Sequence, residues 1–127
     1  MNRLPFLSGL LLMGLIACKD PEVLLQTRIT ESGFPDDVGK IMLTSCATEG
    51  CHTGPDAAEE LDLSTYAGSH QGSDFGAVVI PFEPNWSHVF QHVNTFEDLG
   101  IRATPVMPFE SDEQLDRTEV LTIKDWI

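Results

Sequence analysis

Short helices joined by long irregular loops, a small all-α domain, are what this sequence predicts, and three observations carry the prediction. First, Pro35-Asp36-Asp37 opens a helix whose Val38, Ile41, Met42 and Ser45 fall at i, i+3, i+4 and i+7, a core-facing stripe. Second, the chain finishes on a segment where Leu115, Val120, Ile123 and Ile127 give another stripe, with Trp126 beside it. Third, the stretch between is punctuated by Gly54, Pro55, Gly68, Gly72, Gly76 and Pro81, which break helices and make turns.

The elements follow in order. Residues 1–17 read as an export signal: Arg3 gives a positive start, and Leu4 to Ala17 is an apolar run too short, and too soon followed by charge, to span a bilayer. The run ends Leu15-Ile16-Ala17-Cys18, a lipobox, and resembles a bacterial lipoprotein signal. That resemblance implies cleavage before Cys18 and a membrane anchor through lipid on its thiol. An ordinary secretory signal with a cysteine nearby is the other reading, and both export the chain. Cys18-Lys19-Asp20-Pro21-Glu22 is also similar to the export signals of some surface lipoproteins. The expected location is the bacterial cell envelope, on the periplasmic face or the outer-membrane surface. Residues 18–34 show little apolar periodicity and read as a lipidated tether; residues 35–127 read as one domain. In that domain, Pro35 suits a first helical turn and Asp36 and Asp37 suit the positive end of the helix dipole. Residues 53–84 read as loop, and a loop of that length is uncommon unless it wraps around something. Trp86 to Val93 is a short helix candidate, residues 94–108 are irregular, and the last helix is expected to start at Ser111. There Ser111-Asp112-Glu113-Gln114 has the form of a capping box.

Without Arg3 the exported portion carries 6 basic against 20 acidic residues, a net charge of −14. Nucleic acid and anionic membrane surfaces are therefore poor partners, and a partner protein with a basic docking surface is a good one. Keeping an exported domain soluble accounts for the charge equally well. Asp36-Asp37, Glu59-Glu60 and Asp112-Glu113 are adjacent acids, not a spaced catalytic pair. No enzymatic activity is expected.

The chemistry is concentrated in Cys46-Ala47-Thr48-Glu49-Gly50-Cys51-His52. Two cysteines with a histidine directly after the second are the pattern by which haem is joined to a chain, normally C-x-x-C-H. Each thiol adds to a vinyl group of the porphyrin, and the imidazole is then held under the iron as proximal ligand. Here four residues separate the thiols, so the loop must bulge, which Gly50 permits. Two other readings use the same residues. A Cys46–Cys51 disulfide leaves His52 without a role, and a zinc site lacks a fourth cysteine or a second C-x-x-C pair. With Cys18 taken by lipid and the other two thiols by one haem c, no cysteine is left over. A covalent haem also offers a small exported domain a large apolar surface to pack on.

A sixth iron ligand is expected from Met107, which lies between Pro105 and Pro108 in a loop that the prolines stiffen. A thioether opposite an imidazole suits electron transfer. Met42, on the first stripe, reads as core filler instead. His70, His88 and His92 are rivals. His88 and His92 are spaced i, i+4 but lack the glutamate of H-E-x-x-H, which removes a metalloprotease reading. They read as a polar helix face, His70 as solvated loop, and bis-histidine ligation stays open. A carbonyl from Thr53-Gly54-Pro55 is placed to orient the His52 ring. Arg102 reads as a surface arginine ahead of a partner for a haem propionate.

Taken together, these residues resemble class I-like c-type cytochromes, and within them the planctomycete-type cytochrome c domains. The likeness covers about residues 35–127: a helix running into Cys46…Cys51-His52, then Leu61-Asp62-Leu63-Ser64, Val79-Ile80-Pro81, Trp86-Ser87-His88-Val89-Phe90, Met107-Pro108 and a final Asp125-Trp126-Ile127. The resemblance implies a small all-α cytochrome c-like fold in which the first and last helices cross over a covalent haem. It implies Cys46 and Cys51 as thioether sites, His52 as proximal and Met107 as distal ligand, and a monohaem carrier of single electrons between redox partner proteins. The thiol spacing is longer than the family's, and members run a few residues past the Trp-Ile pair, so a trimmed end is expected. Two alternatives accompany that function. One is a haem-binding structural subunit of a larger membrane redox complex, docking through Phe75, Phe82 and Trp86. The other is an open-site haem peroxidase or gas-binding domain, should Met107 not ligate.

Overall fold

The computed structural model describes residues 20–127, so the expected signal peptide and the lipobox at Cys18 lie outside the described residues. Among the described residues the architecture is helical and holds no strand. The helices are α1 (Pro21–Ser32), α2 (Asp36–Ile41), α3 (Tyr66–Gln71), α4 (His88–Val93) and α5 (Arg117–Trp126). Single 3-10 turns lie at Ala58–Glu60, Pro84–Trp86 and Glu97–Leu99. No helix among the described residues is long and apolar enough to cross a membrane.

Within the tether expected over residues 18–34, Pro21–Ser32 form helix α1. Asp20 caps α1, accepting the Glu22 N–H at 2.9 Å, Pro21 fills the first turn, and Gly33 closes the helix in the left-handed conformation at φ 78°. Only Ile29 and Ser32 of α1 are buried, which is why periodicity concealed it. Those two residues, with Phe34, dock on Gly39 of α2, where an added Cβ would stand 3.2–3.4 Å from all three side chains. Side chains ahead of residue 35 thus pack against α2.

The first predicted helix is present. Val38, Ile41 and Met42 are buried as its stripe required. Past Ile41 it continues through one π turn, Met42–Cys46, in which the Ala47 N–H reaches the Met42 carbonyl at 2.7 Å. α2 packs against α1 and α5, and α4 packs against α5. The core between them holds Met42, Leu61, Leu63, Phe90, Val93, Val120 and Ile123.

α5 starts five residues or so later than the Ser111 box implied. The box is built by Asp116 and Glu119, each accepting the other's backbone N–H at 2.9 Å. Leu115 and Val120 occupy the two positions of a hydrophobic staple, and both are buried. Ser111 instead closes a local turn, its hydroxyl donating to the Glu113 carbonyl and accepting the Glu113 N–H. At the start of α5, Arg117 pairs with Asp98, holding that carboxyl below its usual range, and lies over the Phe96 ring at 5.3 Å. Lys124 donates to the Leu99 carbonyl at 2.7 Å, so the 97–99 turn is fixed to α5 from both ends.

The long loop also contains a helix that its glycines hid. Thr65 caps α3 by accepting the Gly68 N–H at 3.0 Å. Tyr66 and Phe34 then meet Trp126 edge-on, with centroids 6.3 and 5.5 Å away, joining α3 and the α1–α2 turn to the end of α5. Gly68 is required by contact, because a Cβ there would lie 2.5 Å from the Asp62 backbone oxygen. Gly68→Ala should thus destabilise the chain by about 1–3 kcal/mol, although alanine is the better helix former. A rise in the urea midpoint would contradict that packing.

Candidate cofactor-attachment site

The Cys46–His52 segment leaves the π turn and closes on itself. The Cys51 N–H donates to the Thr48 carbonyl at 3.0 Å, and the His52 N–H donates to the Cys46 carbonyl at 3.1 Å. Gly50 sits at φ 79°, the left-handed turn that a bulged four-residue insert needs. The two ends of the insert are thereby drawn together, and Cys46, Cys51 and His52 share one loop. Two further bonds seat it: Ala58 N–H to the Cys51 carbonyl at 2.9 Å, and Leu63 N–H to the His52 carbonyl at 2.9 Å.

Both cysteines are free thiols, in place of the disulfide alternative. Cys46 is half-buried against the core and Cys51 is exposed. Burial pushes the Cys46 thiol up to about 12, and the neighbouring Cys51 and Glu119 add to the rise. The protonated thiol is the resting form of Cys46.

His52 is oriented by a carbonyl, but not by the one expected. Its Nδ1 lies 3.2 Å from the Ala58 oxygen, in the turn beyond Thr53-Gly54-Pro55. The intervening residues carry the chain past the ring before it turns back. A donating Nδ1–H leaves Nε2 as the nitrogen with a free lone pair, the arrangement that orients a ligating imidazole and strengthens it as a donor.

Met107 stands on a separate strap. It is half-buried against the same core that Cys46 touches, and its N–H donates to the His92 carbonyl at 2.9 Å. The bonds that hold it are not those of the cysteine loop. The Nδ1 atoms of His70 and His92 meet carbonyls as that of His52 does, so this contact by itself does not set His52 apart from them. The His70 ring packs on Tyr66 at 4.2 Å and its Nδ1 lies 3.0 Å from the Tyr66 carbonyl. His92 Nδ1 lies 2.6 Å from the Pro105 carbonyl, and the His88 and His92 rings stand 6.3 Å apart. The role of His92 against the methionine strap escaped sequence reasoning, because a bond across thirteen residues leaves no local pattern. Arg102 pairs with Glu97 at 2.8 Å, an exposed surface pair.

Among the described residues no three His, Cys, Asp or Glu side chains are gathered to hold a metal ion. A haem iron asks the protein for only two axial ligands. A thiol pair on one closed loop and an imidazole with Nε2 free fit the donor chemistry of a covalently held haem. An open groove of about 830 Å³, lined by Arg28, Leu43, Ala47, Glu49 and Pro55, lies beside this loop and takes none of its donor atoms as lining. Comparison of the chain with protein-family models, with curated proteins and with solved structures gave no match.

Proposed function

We propose that this chain is a monohaem c-type cytochrome of the bacterial cell envelope, anchored through lipid on Cys18, that passes single electrons between partner proteins. The observation that carries the reading is the closed Cys46–His52 loop with the His52 ring turned by the Ala58 carbonyl. Cys46 and Cys51 would hold haem c by thioether bonds, with His52 and Met107 as axial ligands; the group supplies reversible one-electron chemistry when bound. The chain's own part is to orient the imidazole, exclude water with a packed core and present an acidic surface to a basic partner. No residue acts as acid, base or nucleophile.

Intact mass under denaturing conditions tests this, on protein made in cells with c-type haem maturation. The expected result is a gain of one haem, absent in a Cys46→Ala, Cys51→Ala double variant. A bare chain, with a control cytochrome loaded in the same cells, would sink the reading. The same spectrum reports lipid on Cys18.

A second reading is favoured by the exposed aromatics. Phe75, Phe82 and Trp86 are 75, 91 and 67 % exposed, three large apolar side chains open to a partner. They suit a haem-bearing subunit docked in a larger membrane assembly. A pulldown that returns only basic soluble proteins would remove it.

A further inference from the structure

We propose that His92 is the positioning residue for Met107, a two-point clamp that fixes the methionine strap on the end of α4; this rests on the axial role given to Met107 above. The last carbonyls of any helix lack partners within the helix. In α4 two of them receive the strap: Gln91 accepts the Ala103 N–H at 2.8 Å and His92 accepts the Met107 N–H at 2.9 Å. The strap has few donors of its own, since Pro105 and Pro108 carry no N–H. Its carbonyls must find donors elsewhere, and the His92 ring supplies one, with Nδ1 2.6 Å from the Pro105 oxygen.

One residue thus grips the strap on both sides of Val106, by its backbone at Met107 and by its ring at Pro105. Asn94, fully buried, extends the grip, its amide donating to the carbonyls of Gly100 at 3.1 Å and Ile101 at 3.3 Å. Cross-links of this density order Met107 without any ligand, so little chain entropy remains to be lost when its sulfur is engaged. On this reading His92 would act through Met107, by the bonds to Pro105 and Met107 alone.

The test compares the full chain with His92→Phe, which keeps ring bulk without a donor, and His92→Asn, whose amide can replace Nδ1–H. In the haem-free chain, His92→Phe should speed hydrogen exchange at the Met107 amide roughly tenfold and leave Ala103 little changed. In the haem-loaded chain it should weaken the sulfur-to-ferric-iron charge-transfer band, and His92→Asn should restore it. Unchanged Met107 exchange in His92→Phe overturns the clamp. Accelerated exchange with a band of full strength overturns the positioning role alone. A wild-type chain without the band overturns methionine ligation, the reading beneath the proposal, while the exchange data still report on the clamp. A bis-imidazole spectrum that His92→Phe converts to an open site makes His92 a ligand and ends the proposal.

Discussion

Phe90→Ala should be the most destabilising single truncation in the core. Phe90 is fully buried in α4 and is the largest side chain at the centre of the core. Truncating such a phenylalanine costs about 3–5 kcal/mol, from lost transfer energy and the cavity left behind. Small domains begin with about 5–15 kcal/mol in total, so the loss takes about a fifth at the least and most of the stability of a marginal domain. The damage would not stay local. The Val89 N–H is bonded to the Val78 carbonyl at 3.1 Å, and Gln91 and His92 hold the methionine strap, so loosening α4 frees two loops at once. Phe90→Leu keeps most of the volume and should cost about 1–2 kcal/mol. Chemical denaturation followed by circular dichroism separates the two. Equal midpoints for Phe90→Ala and the natural chain would mean that α4 is not central to the core.

The second large effect is a split in thiol reactivity. In haem-free protein with Cys18→Ser, iodoacetamide at pH 8 should label Cys51 readily and Cys46 at least about a hundredfold more slowly. A thiol at about 12 is ionised at pH 8 in about one molecule in 10⁴, against roughly one in four for an ordinary cysteine. The more basic thiolate is the better nucleophile, which recovers about 1.5 powers of ten, and half-burial takes some of that back. The sign with pH is fixed: because the pKa is raised, labelling of Cys46 should keep climbing about tenfold per pH unit beyond pH 9, where an ordinary thiol has levelled off. Equal labelling at pH 8, read by peptide mass, would mean that Cys46 is open to solvent.

How far the sequence could be read depends on the range of the contacts involved. α2 was legible because Val38, Ile41 and Met42 bury one face at helical spacing, a signal confined to one turn and the next. α1 was not, since Ile29 is its only buried apolar side chain, with Leu25 half-buried beside the core, and Gly39, on a different helix, makes room for Ile29. The start of α5 was misplaced because Ser111 and Asp116 both present a cap with a partner three residues on. Burial of Leu115 and Val120 decides between them, and burial is a tertiary fact. α3 was hidden by Gly68, whose place in a helix follows from the approach of Asp62 and not from propensity. At the candidate site, the residue types and the bulge at Gly50 were legible. The Ala58 carbonyl on His52 and the His92 grip on Met107 were not, for both join residues that only the folded chain brings together.

The π turn at Met42–Cys46 sets the length of the first helix and the direction of its thiol independently of each other. An α-helix advances about 100° with each residue, so its last side chain points wherever the count of residues sends it. A single wider turn slips that phase. The face that Val38 and Ile41 press into the core is kept, while Cys46 leaves the helix at an angle that regular winding from Ile41 would not reach. Ordinary winding of the same five residues would carry Cys46 roughly a quarter turn further round the helix, whereas excision of exposed Thr44 removes the one residue that the wide turn accommodates and returns the thiol close to its present direction. Stability and aim are therefore separable properties of these eleven residues, and a variant can lose the second while keeping the first.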